Sequence, residues 1–102
     1  MQIFSKNNKG TLLVSLAGEL DEHSAEYARV KLDKLFAESD FKQIVIDFKE
    51  LAFMDSSGVG MLIGRYKKMA DKKVPIYLAN PNNQMERIFK MSGLYKIMPK
   101  IS

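Results

Sequence analysis

Apolar and polar positions change rhythm along the chain, and each change marks an element. Gln2 to Lys6 is a short candidate strand, and Thr11 to Leu16 (TLLVSL) is a stronger one bounded by Ala17-Gly18. Asn7-Asn8-Lys9-Gly10 supplies turn residues between them, so the two are expected to pair as a hairpin. From Ala25 the period becomes helical. Ala25, Ala28, Leu32, Leu35 and Phe36 share one face, and Glu26, Arg29 and Asp33 share the other. Asp21 or Ser24 is the candidate N-cap of this helix.

Lys42 to Phe48 (KQIVIDF) is rich in β-formers, and contiguous Ile44, Val45 and Ile46 predict a strand buried on both faces. Lys49 to Ala52 reads as a loop. Val59, Leu62, Ile63, Tyr66 and Met69 then recur at helical spacing. Val74 to Ala79 (VPIYLA) is a further strand, with Pro75 at its start where no ladder donor is required. Asn82 caps a third helix carrying Met85, Ile88 and Phe89, and Gly93 ends it. Leu94 to Ile101 reads as a last short strand. The order β-β-α-β-α-β-α implies an α/β sheet with parallel pairs and right-handed crossovers.

Composition narrows the function. The chain of 102 residues is expected to form one domain, residues 1–102. It has no cysteine, which removes disulfides, thiolate metal sites and cysteine nucleophiles. Its one histidine, His23, argues against a histidine metal site or a histidine-based triad. No stretch resembles a signal peptide or a membrane span, so a cytoplasmic protein is expected.

The net charge of +4 hides an asymmetry. Residues 1–64 carry a net −3 and residues 65–102 a net +7. The basic half fits either a solvated lysine face or an acidic partner, nucleic acid included. It lacks the interleaved aromatic residues of a single-strand binder.

Candidate chemistry concentrates in Phe53-Met54-Asp55-Ser56-Ser57-Gly58-Val59-Gly60, at the start of the second helix. Asp and Ser there are good caps. The same helix start also suits a phosphate, whether bound or carried on a serine. Gly58, Gly60 and Gly64 match neither the dinucleotide fingerprint nor the Walker pattern, and Gly60 and Gly64 are expected to pack closely on the sheet. A serine nucleophile would need a base, and His23 lies among acidic residues at the first helix. The carboxylate groups Glu19/Asp21/Glu22 and Asp47/Glu50/Asp55 have no metal-specifying spacing.

Three segments together carry a family resemblance: Gly18-Glu19-Leu20-Asp21, Phe53 to Gly58, and Met91-Ser92-Gly93-Leu94. In this order they resemble the STAS-domain anti-sigma factor antagonists, and Phe53 to Lys68 is particularly like the sporulation stage II members. The resemblance covers nearly the whole chain. It implies a STAS fold, a mixed four- to five-stranded sheet with three or more helices packed against it. It implies a regulatory protein with no enzymatic activity, no cofactor and no metal.

Such a protein binds an anti-sigma factor that is also an ATP-dependent serine kinase, and this releases a sigma factor. Phosphorylation of Ser56 ends the binding, and a PP2C-type serine phosphatase reverses it. By the resemblance Asp55, Ser57 and Gly58 flank the phosphosite, with Gly58 allowing close approach of the partner. Glu19, Asp21, Met54 and Gly60 are expected to face the partner. Neither a membrane nor a nucleic acid is an expected direct partner. A STAS module of a general-stress or orphan pathway is the alternative, and a nucleotide- or nucleic-acid-binding protein a more distant one. Family members commonly continue into a further helix, whereas this sequence stops at Ser102.

Overall fold

A hairpin opens the chain. In the computed structural model, which describes residues 1–102, β1 (Gln2–Asn8) pairs antiparallel with β2 (Thr11–Leu20). The turn is tighter than the polar cluster suggested. Lys9 and Gly10 alone make it, with φ values of 53° and 92°. Two positive φ angles give the twist that hairpin strands require.

β2 does not end at Ala17-Gly18. Gly18 takes φ 105°, the strand bulges between Gly18 and Glu19, and pairing resumes as far as Leu20. A non-glycine residue is strained in that conformation. The bulge lets one strand serve two neighbours on the same edge. Thr11–Ser15 pairs in parallel with β3 (Gln43–Asp47), and Gly18–Leu20 pairs in parallel with β4 (Leu51–Met54). β4 is a strand where the sequence reads as a loop and a helix lead-in. β5 (Ile76–Ala79) lies in parallel outside β3, completing a mixed five-stranded sheet ordered β1-β2-β3-β5 with β4 beside β2.

The helices α1 (Ala25–Ala37), α2 (Ser56–Asp71) and α3 (Asn83–Ser92) form where the apolar period predicts them. Leu12, Val14, Leu16, Ile44, Ile46, Ile76 and Leu78 line one sheet face and join Ala28, Leu32, Phe36, Leu62, Met69, Met85 and Phe89 in the core. The Phe48 and Phe89 rings meet at 5.2 Å between centroids. The opposite face is open. β3 is therefore buried on one face only: Val45 is half-buried there, with Tyr77 half-buried and Leu13 exposed on the neighbouring strands.

The C-terminal segment departs from the expected strand. Gly93 ends α3 in the left-handed conformation with φ 74°. Leu94–Lys96 then makes a 3-10 turn, and strand-like pairing is confined to the last residues, where Lys100 bridges Leu78 of β5 in parallel and the Leu78, Ile101 and Asn80 N–H groups donate to the Pro99, Leu78 and Ser102 carbonyls. Leu94 and Met98 are drawn into the core from the turn, so the expected strand is cut short at its N-terminal side. No helix is long and apolar enough to cross a membrane.

Candidate functional site

In the parallel pairing of β2 with β4, Glu19 stands opposite Phe53 and Leu20 opposite Met54. The chain thus leaves both strands at the same end of the sheet, and the Asp55 N–H donates to the Leu20 carbonyl at 3.2 Å. The acidic turn after β2 and the serine pair after β4 come from adjacent strands. Carboxyl ends of parallel strands are where open α/β sheets place working residues.

Asp55 is the N-cap of α2. Its backbone is extended, and its Oδ1 accepts the Ser57 N–H at 2.8 Å. This satisfies one of the helix's orphan donors. Ser56, the first residue of α2, is exposed, and Ser57 is half-buried. No acidic residue lies in the first turn of α2. Neighbouring residues on a helix point about 100° apart. The two serines accordingly open on different grooves. Ser56 lines an apolar groove of 360 Å³ between α2 and α3 with Val59, Ile88, Met91 and Ser92. Met91 is 82% exposed at its rim. Ser57 lines a charged groove between α1 and α2 with Glu22, Glu26, Arg29, Gly60 and Arg65.

The acidic turn is held by its own side chains. Asp21 Oδ1 accepts the His23 and Ser24 N–H groups at 2.9 and 3.1 Å, and Ser24 Oγ donates to the Glu19 carbonyl at 2.8 Å. Ser24 stands at the cap position without a side-chain cap bond, and the Asp21 carboxylate accepts its N–H instead. The Ser24 N–H leads the groups that hold the Asp21 carboxyl below its ordinary pKa, the His23 N–H assisting. Glu19 and His23 are exposed.

Two expected partner contacts are internal. Met54 is 0% exposed, its side chain in the core. Gly58 is buried too, and a Cβ built there would lie 2.6 Å from Met54 Cγ and 3.0 Å from Leu20. Its missing side chain lets α2 approach the sheet, not a partner approach α2. Gly60 is exposed, and a Cβ there or at Gly64 meets nothing within 4 Å, so neither glycine packs on the sheet.

The basic half contains one residue that composition concealed. Arg65 is 5% exposed and pairs with Asp33 of α1 at 2.8 Å. Burial lowers the Arg65 pKa, and the Asp33 charge opposes that shift. Its spacing from Met61, Leu62 and Met69 marks the buried face, which was the available signal. Lys68 also pairs with Asp33, and Lys100 with Glu86, so part of the C-terminal positive charge is neutralised within the fold. No group of three His, Cys, Asp or Glu side chains could hold a metal ion.

The chain belongs to the STAS domain family, whose match spans residues 2–102. Within that family it is similar to the anti-sigma F factor antagonist of Paenibacillus polymyxa, at 39% identity over 99 residues. That match covers 97% of this chain and 85% of the relative. Among solved structures it is similar to the anti-sigma factor antagonist SpoIIAA in its unphosphorylated form, at 30% identity and TM-score 0.83, covering 99% of this chain and 89% of that one. It is also similar to the Bacillus cell fate determinant SpoIIAA in the phosphorylated form, at 31% identity and TM-score 0.74, covering 99% and 92%.

Proposed function

We propose that this protein is a phosphorylation-switched antagonist of an anti-sigma factor. The unphosphorylated chain binds an anti-sigma factor that is also a serine kinase, and the sigma factor is set free in the cytoplasm. The kinase transfers the γ-phosphoryl group of ATP to Ser56 Oγ, a kinase base takes the hydroxyl proton, and ADP leaves. A PP2C-type phosphatase restores the serine.

The single observation that carries this reading is the exposed Ser56 on the first turn of α2, between the acidic turn and an apolar groove. The groove around Val59, Ile88 and Met91 offers the kinase an apolar seat, and Glu19 and Asp21 offer it acidic contacts. Asp55 and Ser57 set the direction of the acceptor. Gly60, one turn along, leaves the helix backbone open beside it.

A phosphate on Ser56 adds a charge of about −1.5 to −2. The helix N-terminus tolerates that charge, so α2 stays folded. The partner does not tolerate it equally, because docking must desolvate the dianion beside Asp55. A difference of about 3 kcal/mol changes affinity more than a hundredfold.

Pull-down from the native cell retrieves the kinase, and intact-mass spectrometry follows its reaction with ATP. One phosphate is expected, placed on Ser56 by fragmentation. Ser56→Ala remains unlabelled and bound, whereas Ser56→Asp binds poorly. A phosphate on Ser57, or no phosphate, overturns the assignment.

A further inference from the structure

β4 has a strand neighbour on one side only, β2. Its other edge is occupied by side chains of α3. The Gln84 amide makes two bonds to one residue: Oε1 accepts the Met54 N–H at 3.2 Å, and Nε2 donates to the Met54 carbonyl at 2.5 Å. Asn82 Nδ2 donates to the Ala52 carbonyl at 3.3 Å on the same edge. A glutamine side chain thus stands in for a missing strand at the residue that precedes Asp55-Ser56.

We infer that Gln84 is a positioning residue that fixes the presentation of Ser56. This inference rests on Ser56 being the phosphoacceptor. The Met54–Asp55 peptide is gripped from both sides, its carbonyl by Gln84 and its N–H by the Leu20 carbonyl. That peptide sets the direction in which Asp55 leaves the sheet. Asp55 in turn caps α2 through the Ser57 N–H. Orientation of one peptide plane is therefore transmitted to the first turn of the helix that carries the acceptor.

The anchor on α3 is itself secured. Asn82 Oδ1 accepts the Met85 N–H at 2.9 Å, and Glu86 accepts from Tyr95 Oη and Lys100 Nζ, each at 2.6 Å. Those bonds hold the Glu86 carboxyl below its ordinary pKa, Lys100 contributing most. α3 also supplies Ile88 and Met91 to the groove beside Ser56. α3 thus carries both the glutamine that grips the Met54–Asp55 peptide and one wall of the groove beside Ser56.

The chain has no cysteine, so a thiol at position 56 is a unique reporter. In Ser56→Cys, an ordered helix N-terminus holds the thiol pKa below that of free cysteine. Gln84→Met keeps the bulk of the side chain and removes both bonds. In that background the thiolate midpoint, read by the pH dependence of its reaction with DTNB, is expected to rise by about half a unit. Amide exchange at Met54 is expected to accelerate about tenfold, the local-opening response to a lost protecting bond. Exchange in α1 and β3 stays as it was.

Gln84→Glu supplies a conservative control. It keeps the acceptor, loses the donor at neutral pH, and regains an O–H donor when protonated. The Met54 amide, whose acceptor is kept, is expected to stay protected, whereas the Asp55 amide, on the peptide whose carbonyl loses its donor, is expected to exchange faster until the pH falls through that carboxyl's midpoint. Unchanged exchange at Met54 in Gln84→Met overturns the double bond. Faster exchange with an unmoved thiol midpoint overturns the positioning role. These readouts use the isolated protein, so failure of Ser56 as the kinase's target shows separately, in the mass spectrum of the kinase reaction.

Discussion

Gly58 and Gly60 lie two positions apart on one helix and do opposite work. At Gly58 a methyl group would meet Met54 and Leu20, both fully buried and without room to swing. Overpacking of this kind costs about 1–3 kcal/mol, against roughly 1 kcal/mol returned by the better helix former. Gly58→Ala is expected to lower the urea midpoint. Gly60→Ala meets open space and is expected to raise stability by about 1 kcal/mol. Shifts of the same sign in the two variants would contradict this division. The sequence marked Asp55 and the serines after it as candidate caps at a helix start, because capping is local chemistry. It could not tell that Met54 and Gly58 face inward, because that depends on β4 pairing with a strand more than thirty residues earlier.

Between elements, the junction of α1 with α2 turns on Asp33, which faces Arg29, Arg65 and Lys68. Arg29 and Lys68 are surface cations whose pairs contribute about 0–1 kcal/mol each. Arg65 is different, since its side chain is 6% exposed and Asp33 is its one salt-bridge partner. Asp33→Ala is expected to cost up to about 3 kcal/mol, the low end for a broken buried pair because Asp33 is 22% exposed. Lys68→Ala is expected to cost less than about 1 kcal/mol. Chemical denaturation of the two variants checks the ranking. The three helices were legible from their apolar period, and so were β1, the start of β2, β3 and β5. β4 was not, because Leu51-Ala52-Phe53-Met54 is buried only at its two ends and has no alternation to read. The C-terminal segment misled for the converse reason: Leu94 and Met98 look like strand residues but serve the core from a turn.

Over the whole molecule, three helices cover one face of a mixed sheet, and the acidic turn and the serine pair collect at one end of it. Charge asymmetry along the chain is reduced but not removed by internal pairing: Arg65 and Lys68 pair with Asp33 of the acidic half, whereas Lys67, Lys72, Lys73, Arg87, Lys90 and Lys96 make no salt bridge. The fork in β2 at Gly18 organises the architecture, and it also orders the events of folding. The β1–β2 hairpin is local and can close in about 1–10 μs. β3 and β4 join β2 only after the chain through α1 has been looped back, a non-local and slower event. Gly18→Ala strains a φ of 105° and is expected to destabilise by about 1–3 kcal/mol. The short β4 branch of the fork is expected to dock after β3 has paired with β2 and the rate-limiting barrier has been crossed. The loss is therefore expected in the unfolding limb of the chevron, with the refolding limb little changed. Stopped-flow kinetics in urea reads the two limbs separately. A slowed refolding limb would place the fork in the folding nucleus instead. With the unfolding limb alone affected, the end of the molecule that presents Ser56 would be the last to assemble and the first to open.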